Sequence, residues 1–384
     1  MKSLLIATLA LVSPLAIAQS AAPAKAPLPP PSLLGRSAEV HADHTVTFRV
    51  AAPNAQDVKL TIDTLLKPLP MTRGDDGIWS VTTAALRPEI YDYAFLVDGV
   101  HQPDPVQRDV HNSFMGLESL VTVPGTPAEP WQFADVAHGT LTLHRFTTHV
   151  ALNLPGNQSE YLVYTPAGYD AKKKGGYPVL YLLHGYLDDN KAWTSVGRAH
   201  FVLDSMIASG KAKPMIVVMP LGYGDWTFLT GGFGQWEQPD RVSLNSDRFI
   251  DSLETEVMPA VEHDYNTAKG RENRAVAGLS MGGLETLTLG LRHPEQFAYV
   301  AGMSAALHLH DFDKLAPNVN PKTANYKLFW TSVGTDDHLL QANRDFAVWA
   351  KAKGYNLQAN ETPGAHQWPV WRENLVTILP LLFR

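Results

Sequence analysis

From residue 139 onward the chain carries nearly continuous apolar runs at 179–183, 215–219, 275–277, 299–303 and 328–333. A strand with one wet face alternates polar and apolar residues, so runs of this kind demand cover on both faces. Amphipathic stretches of helical length, 249–265 and 339–353, lie between them. Strands alternating with helices assemble into a mostly parallel, doubly wound sheet. The expected fold class is therefore α/β, with chemistry on the loops at the carboxyl ends of the strands.

The preceding hundred or so residues read differently. Segments 45–50, 58–62, 78–81 and 91–97 alternate with period two, and Pro53-Asn54, Gly74-Asp75-Asp76-Gly77 and Asp98-Gly99 mark the joins. That rhythm predicts antiparallel strands in a small all-β, immunoglobulin-like sandwich over 37–125, ahead of an α/β domain over 126–384. Residues 19–36, rich in Ala and Pro, cannot build a core and read as an extended linker. At the start, Lys2, the apolar stretch 4–17 and the small residues Ala16 and Ala18 form a signal peptide cut after Ala18, which predicts a secreted or periplasmic protein. No later segment is apolar enough to cross a bilayer, so no membrane partner is expected.

A chain of 384 residues has room for both units, the second large enough at about 250 residues to bury its core without covalent staples. It has no cysteine, which excludes disulfides, thiolate nucleophiles and Cys-based metal sites. A net charge of −7, with no basic run beyond Lys172-Lys173-Lys174, gives no footprint for nucleic acid.

One local pattern carries chemistry. Gly278-Leu279-Ser280-Met281-Gly282 is a G-x-S-x-G placed between a strand at 274–277 and a helical stretch at 283–292. In that setting a strained strand-to-helix turn pushes a hydroxyl out of the sheet, and small neighbours let the backbone turn. A serine needs a base, which in this chain order comes last. His366, in a loop after the strand 356–360 and before the terminal helix 371–383, fits that place. A carboxylate must hold the imidazole in one tautomer. Asp336 and Asp337, after the strand 328–333, compete for this role, with Asp337 preferred and Asp336 expected as a helix N-cap; Asp311 and Asp313 lack a preceding buried strand. The oxyanion needs two donors, expected from the N–H groups of Met281 and Tyr186. His184 reads as a strand-end residue bonding to backbone, and Asp188 and Asp189 as loop and helix-start residues. The pairs His41 with His44 and His308 with His310 lack the companions of a metal site and read as surface residues.

Taken in order, Leu182-Leu183-His184-Gly185, Gly278-Leu279-Ser280-Met281-Gly282-Gly283, Gly334-Thr335-Asp336-Asp337 and Gly364-Ala365-His366-Gln367-Trp368 resemble the esterases of carbohydrate esterase family 1. That group includes feruloyl and acetylxylan esterases, with esterase D, antigen 85 and enterochelin esterase as relatives. The resemblance implies an α/β-hydrolase fold, places the acid at the end of a G-x-x-D turn, which is Asp337, and places the second oxyanion donor just after the H-G pair, which is Tyr186. The leading domain looks like the early-set modules grouped with carbohydrate-binding module family 48, on 46–53, Gly77-Ile78-Trp79, 91–99 and Asp104-Pro105. Trp79 alternates with inward-facing positions, as a core residue would.

The expected reaction is acyl transfer to water through an acyl-Ser280 intermediate, with no metal or cofactor. The expected partner is an ester on plant polysaccharide, ferulate or acetate on xylan. Tyr223, Trp226 and Trp368 leave carboxyl ends of strands and are expected to line the pocket. Two other readings stand beside it. A siderophore esterase needs cationic groups around a trianionic iron complex, and a carbohydrate-binding protein needs only an inactive hydrolase domain.

Overall fold

The computed structural model describes residues 37–384 apart from 64, 66, 309, 310 and 316–319. The signal peptide, its cleavage after Ala18 and the linker lie outside the described residues, as does His310. Among the described residues no helix is long and apolar enough to cross a membrane.

The first domain is a sandwich of two antiparallel sheets. One carries Glu39–Val40, Val46–Ala51, Ile78–Thr82 and Thr72–Arg73 in that spatial order. The other carries Leu69–Pro70, Val58–Ile62, Glu89–Val97, Gly116–Val123 and Val110–Ser113, with Val100–Gln102 paired to Glu89–Val97. Alternate residues fill its core: Val46, Phe48 and Val50 from one sheet meet Tyr91, Tyr93 and Phe95 from the other. Trp79 belongs to that core and donates Nε1–H to the Ala52 carbonyl at 3.0 Å.

The strand Glu89–Val97 departs from the half-wet pattern: its first seven residues are all buried. The reason is docking. Tyr91, Tyr93 and Phe95 face inward, while Ile90, with Leu120 across the ladder, joins the core of the second domain.

That second domain is built on an eight-stranded sheet. Its spatial order is Thr140–Thr147, Gln158–Thr165, Ile216–Pro220, Val179–Leu183, Arg274–Leu279, Tyr299–Met303, Leu328–Gly334 and Gln358–Thr362. The first two pair antiparallel, and the six from Ile216–Pro220 onward run parallel to one another. Helices Ala199–Ala208 and Trp368–Ile378 cover one face, and Pro239–Ser252, Ser280–Arg292 and Leu340–Lys353 the other. The order reverses beside Val179–Leu183, so the crevice of a doubly wound sheet falls between this strand and Arg274–Leu279. The helix expected from 249 begins earlier, at Pro239, whose missing N–H suits a first helical position.

The domains are also joined by charge. Arg372 of the terminal helix donates to the Glu89 carboxylate, both side chains fully buried, and its second amino group donates to the Val196 carbonyl at 2.8 Å. Beside it the half-exposed Arg87 pairs with Glu373 at 2.6 Å. Removing one member of a buried pair strands the other charge without water, at a cost of about 3–5 kcal/mol, whereas exposed pairs contribute about 1 kcal/mol or less. Chemical denaturation is expected to show the larger loss for Arg372→Ala and the smaller for Arg87→Ala. Equal losses would mean that the buried pair does not tie the domains together.

Candidate active site

The elbow is tighter than the sequence suggests. The strand runs on to Leu279 and the helix starts at Ser280 itself, whose φ of +54° is a left-handed conformation rarely taken by a side-chain-bearing residue. The flanking glycines are required by space. A Cβ at Gly278 would stand 2.4 Å from the Gly282 carbonyl oxygen, and one at Gly282 would stand 2.5 Å from that of His184.

Three of the residues named from sequence come together at this point. Ser280 Oγ lies 2.9 Å from His366 Nε2, and His366 Nδ1 lies 2.9 and 3.1 Å from the two Asp337 oxygens. Between the two competing aspartates the geometry is unequal. Asp337 is buried and faces the imidazole, while the Asp336 side chain is exposed. The N-cap expected of Asp336 is not found there: the Asp337 carboxylate itself accepts the Leu339 N–H at 2.8 Å. Burial works to raise the Asp337 pKa, but hydrogen bonding and charge from His366, with the Leu339 N–H, hold the carboxyl below its ordinary range. It is therefore ionised at neutral pH.

The turn after Val179–Leu183 is held by His184. Its Nε2 accepts the Gly222 N–H at 2.8 Å, which leaves the proton on Nδ1, 2.7 Å from the Gly185 carbonyl. Burial lowers its pKa, consistent with a neutral ring bonded to backbone. Leu187 N–H is taken by Tyr223 Oη at 2.7 Å and Asp188 N–H by the Gly185 carbonyl at 3.2 Å, whereas Tyr186 N–H has no partner among the described residues. Met281 is the second residue of its helix, a position whose N–H has no intrahelical acceptor. An N–H without a partner among the described residues, on a residue that shares the cavity with Ser280, and another on the residue after Ser280, are donors of the kind that stabilise negative charge developing on an attacked carbonyl oxygen.

The cavity above Ser280 and His366 has a volume of about 480 Å³ and is walled by Tyr186, Leu187, Phe233, Trp236, Ala306, His308, His338 and Leu339. The walls expected from sequence lie elsewhere. Tyr223 is buried behind the turn, with its hydroxyl between Leu187 N–H and the Asp188 carbonyl. Its loop is pressed inward, since Gly224 packs so closely on the helix Pro239–Ser252 that a Cβ would come within 2.1 Å of the Asn245 carbonyl oxygen. Trp368 is buried edge-on between Trp193 and Trp371. Trp226 faces a separate shallow cleft with Phe114, Glu160 and Asp189. Phe233 and Trp236 replace them from a short turn after Gly231-Gly232, and that aromatic, glycine-rich stretch was the available sequence signal. His308, read as a plain surface residue, is exposed at the cavity rim. Asp337, His338 and His366 could between them offer ligands to a cation, although two of them already bond to each other.

A mostly parallel sheet with a serine on a strand-to-helix elbow at its switch point, preceded by an immunoglobulin-like sandwich, defines an α/β-hydrolase. Residues 153–382 match the model of the Esterase family, described as "Putative esterase", and the chain belongs to this family of carboxylic ester hydrolases. Residues 34–110 match carbohydrate-binding module 48, the isoamylase N-terminal domain. The chain is 30% identical over 354 residues to an endo-1,4-beta-xylanase/feruloyl esterase of Xylanibacter ruminicola, covering 90% of this chain and 46% of that longer protein. Among solved structures it is similar to a CE1 ferulic acid esterase of Anaeromyces mucronatus, with a TM-score of 0.57 and 23% identity over 66% of this chain and 93% of that one. It is also similar to the enterobactin esterase of Shigella flexneri, with a TM-score of 0.64 and 17% identity over 87% of this chain and 92% of that one.

Proposed function

We propose that this chain is an exported serine esterase that releases hydroxycinnamic acids, ferulate first among them, from plant cell-wall xylan. The observation that carries the reading is an imidazole bonded to Ser280 on one side and Asp337 on the other, at the floor of an aromatic cavity. Ser280 Oγ attacks the ester carbonyl while His366 Nε2 takes its proton, and the N–H groups of Met281 and Tyr186 hold the oxyanion. Collapse expels the sugar hydroxyl, which leaves with the proton from His366. Water then repeats the sequence on the acyl-Ser280 ester and frees the acid. Asp337 keeps the imidazole in the tautomer that accepts from serine.

The walls favour a flat acyl group. Tyr186, Phe233 and Trp236 pack edge to face around the opening, and aromatic rings prefer such partners. An acetyl group would leave that surface unused, which ranks acetylxylan second. A trianionic iron–siderophore complex finds no Lys or Arg among the described residues of the cavity wall, and burial lowers the pKa of His308 and His338, which keeps both neutral. Initial rates on methyl ferulate, acetylated xylan and a simple aryl acetate decide among these. Methyl ferulate is expected to give the highest kcat/KM, by about tenfold or more, which corresponds to about 1.4 kcal/mol of extra transition-state binding. Hydrolysis of the aryl acetate alone would end the plant-polysaccharide assignment.

A further inference from the structure

We propose that the β-sandwich acts in catalysis at one remove, with His111 as a positioning residue whose hairpin clamps the turn that presents the Tyr186 N–H to the oxyanion. The inference rests on reading that N–H as an oxyanion donor.

The turn needs a clamp. Leu187, directly after Tyr186, has φ of +72°, a conformation that persists only where the surroundings over-determine it. Three contacts do so, and two come from the other domain. Tyr223 takes the Leu187 N–H, as described above. The Leu187 carbonyl accepts the Phe114 N–H at 2.7 Å, and the Asp188 carboxylate stands 2.7 Å from His111 Nε2. Val110–Ser113, which carries His111, and the turn that follows it therefore grip Tyr186's two C-terminal neighbours.

His111 is itself seated on a rigid post. Its Nδ1 lies 3.2 Å from Asp92, in the middle of the strand that is buried on both faces. Each ring nitrogen meets a carboxylate, so both must donate and the ring is an imidazolium. The groups facing it are Asp92 and Glu118 from its own sheet and Asp188 from the esterase domain, with Asp63 next to Asp92 and His101 next to Glu118. Burial works against the charge, but the bonds to Asp188 and Asp92 outweigh it and raise the pKa to about 10. The hairpin is steadied further by the Phe114 ring, edge-on to Tyr223 and Trp226 at 6.0 and 5.4 Å between centroids. His111 also meets the edge of Trp368, two residues beyond His366.

Deleting an oxyanion donor costs about 10²–10³ in kcat; loosening one should cost less. In the full-length chain, His111→Gln and Asp188→Asn are each expected to lower kcat on an aryl acetate by about 10- to 100-fold, with KM changing less than about threefold. Affinity for an arylboronic acid, which occupies the oxyanion position, should fall in parallel. The double variant should be no worse than the poorer single one, because the two residues act as one contact. Wild-type kcat should fall as the pH rises through about 10, where the imidazolium loses its proton, and His111→Gln should lack that limb. Asp188→Asn removes a buried charge and reports on the turn even where His111→Gln weakens the fold. A folded variant that keeps kcat within twofold, or loses only KM, overturns the role. So does activity that disappears on dialysis against a chelator and returns with a divalent cation, because Asp92, His111 and Glu118 would then be serving a metal. A wild-type chain that cleaves no ester sinks the donor reading and this role together. A chain that cleaves esters, with both variants unimpaired, sinks this role alone.

Discussion

Ser280→Ala is expected to lower kcat on an aryl ester by about 10⁵- to 10⁶-fold, while the protein stays folded. The loss is this large because the parts act as a unit. Without Oγ there is no atom to carry the acyl group, and His366 has nothing to deprotonate except water that no group positions. What remains is transition-state stabilisation by the turn and the helix start, which supplies about 10³–10⁴ over the uncatalysed rate in comparable sites. Stability should change little, since the substitution removes one oxygen and the strained backbone at φ +54° is imposed by the strand and helix on either side. Initial rates with p-nitrophenyl acetate and a thermal melt separate the two quantities. Residual activity within tenfold of wild type would place the reaction elsewhere and restore the reading of a carbohydrate-binding protein with an inert hydrolase fold.

The parallel sheet was legible because its cause is compositional. Strands such as Val179–Leu183 are buried on both faces, and no surface pattern could be written into them. The elbow was legible because a tight backbone turn leaves room only for small residues, and Gly278 and Gly282 record that crowding. The order of serine, acid and base along the chain then follows from which strands neighbour one another in a sheet wound outward from a reversal.

What escaped is long-range. Asp188 reads as an ordinary loop residue and His111 stands out in no motif, and nothing within ten positions of either points to a partner 77 residues away. The interface also hid the true character of Glu89–Val97, whose alternation is kept in sequence but whose outer face is covered by the esterase domain. The pocket was misplaced for a related reason. Tyr223 and Trp368 do follow strand ends, but close packing turns both rings into the interior, Tyr223 behind the turn that carries Tyr186 and Trp368 between Trp193 and Trp371. Glu285, on the helix that follows the elbow, is a charged residue type that is fully buried, and burial pushes its carboxyl far toward the neutral form.

Asp337→Asn should lower kcat by about 10⁴-fold, and Asp336→Asn should change it by less than about twofold. The contrast follows from which proton each side chain can control. With a carboxylate at 337, Nδ1 must donate, so Nε2 is free to accept from Ser280 at 2.9 Å. An amide in the same place can present its NH₂ to Nδ1, which moves the ring proton to Nε2 and points a donor at a donor. Asp336, with its side chain in solvent, touches neither nitrogen. Raising the pH does not rescue Asp337→Asn, because the defect is one of tautomer rather than of charge waiting to be exposed. Wild-type Asp337, held below the ordinary carboxylate range, is already ionised across the neutral region, so its own titration should appear only as the pH falls into the acid range. Steady-state rates of both variants measured across that span provide the check. A large loss in Asp336→Asn, or near-normal turnover in Asp337→Asn, would show that the imidazole takes its orientation from another group.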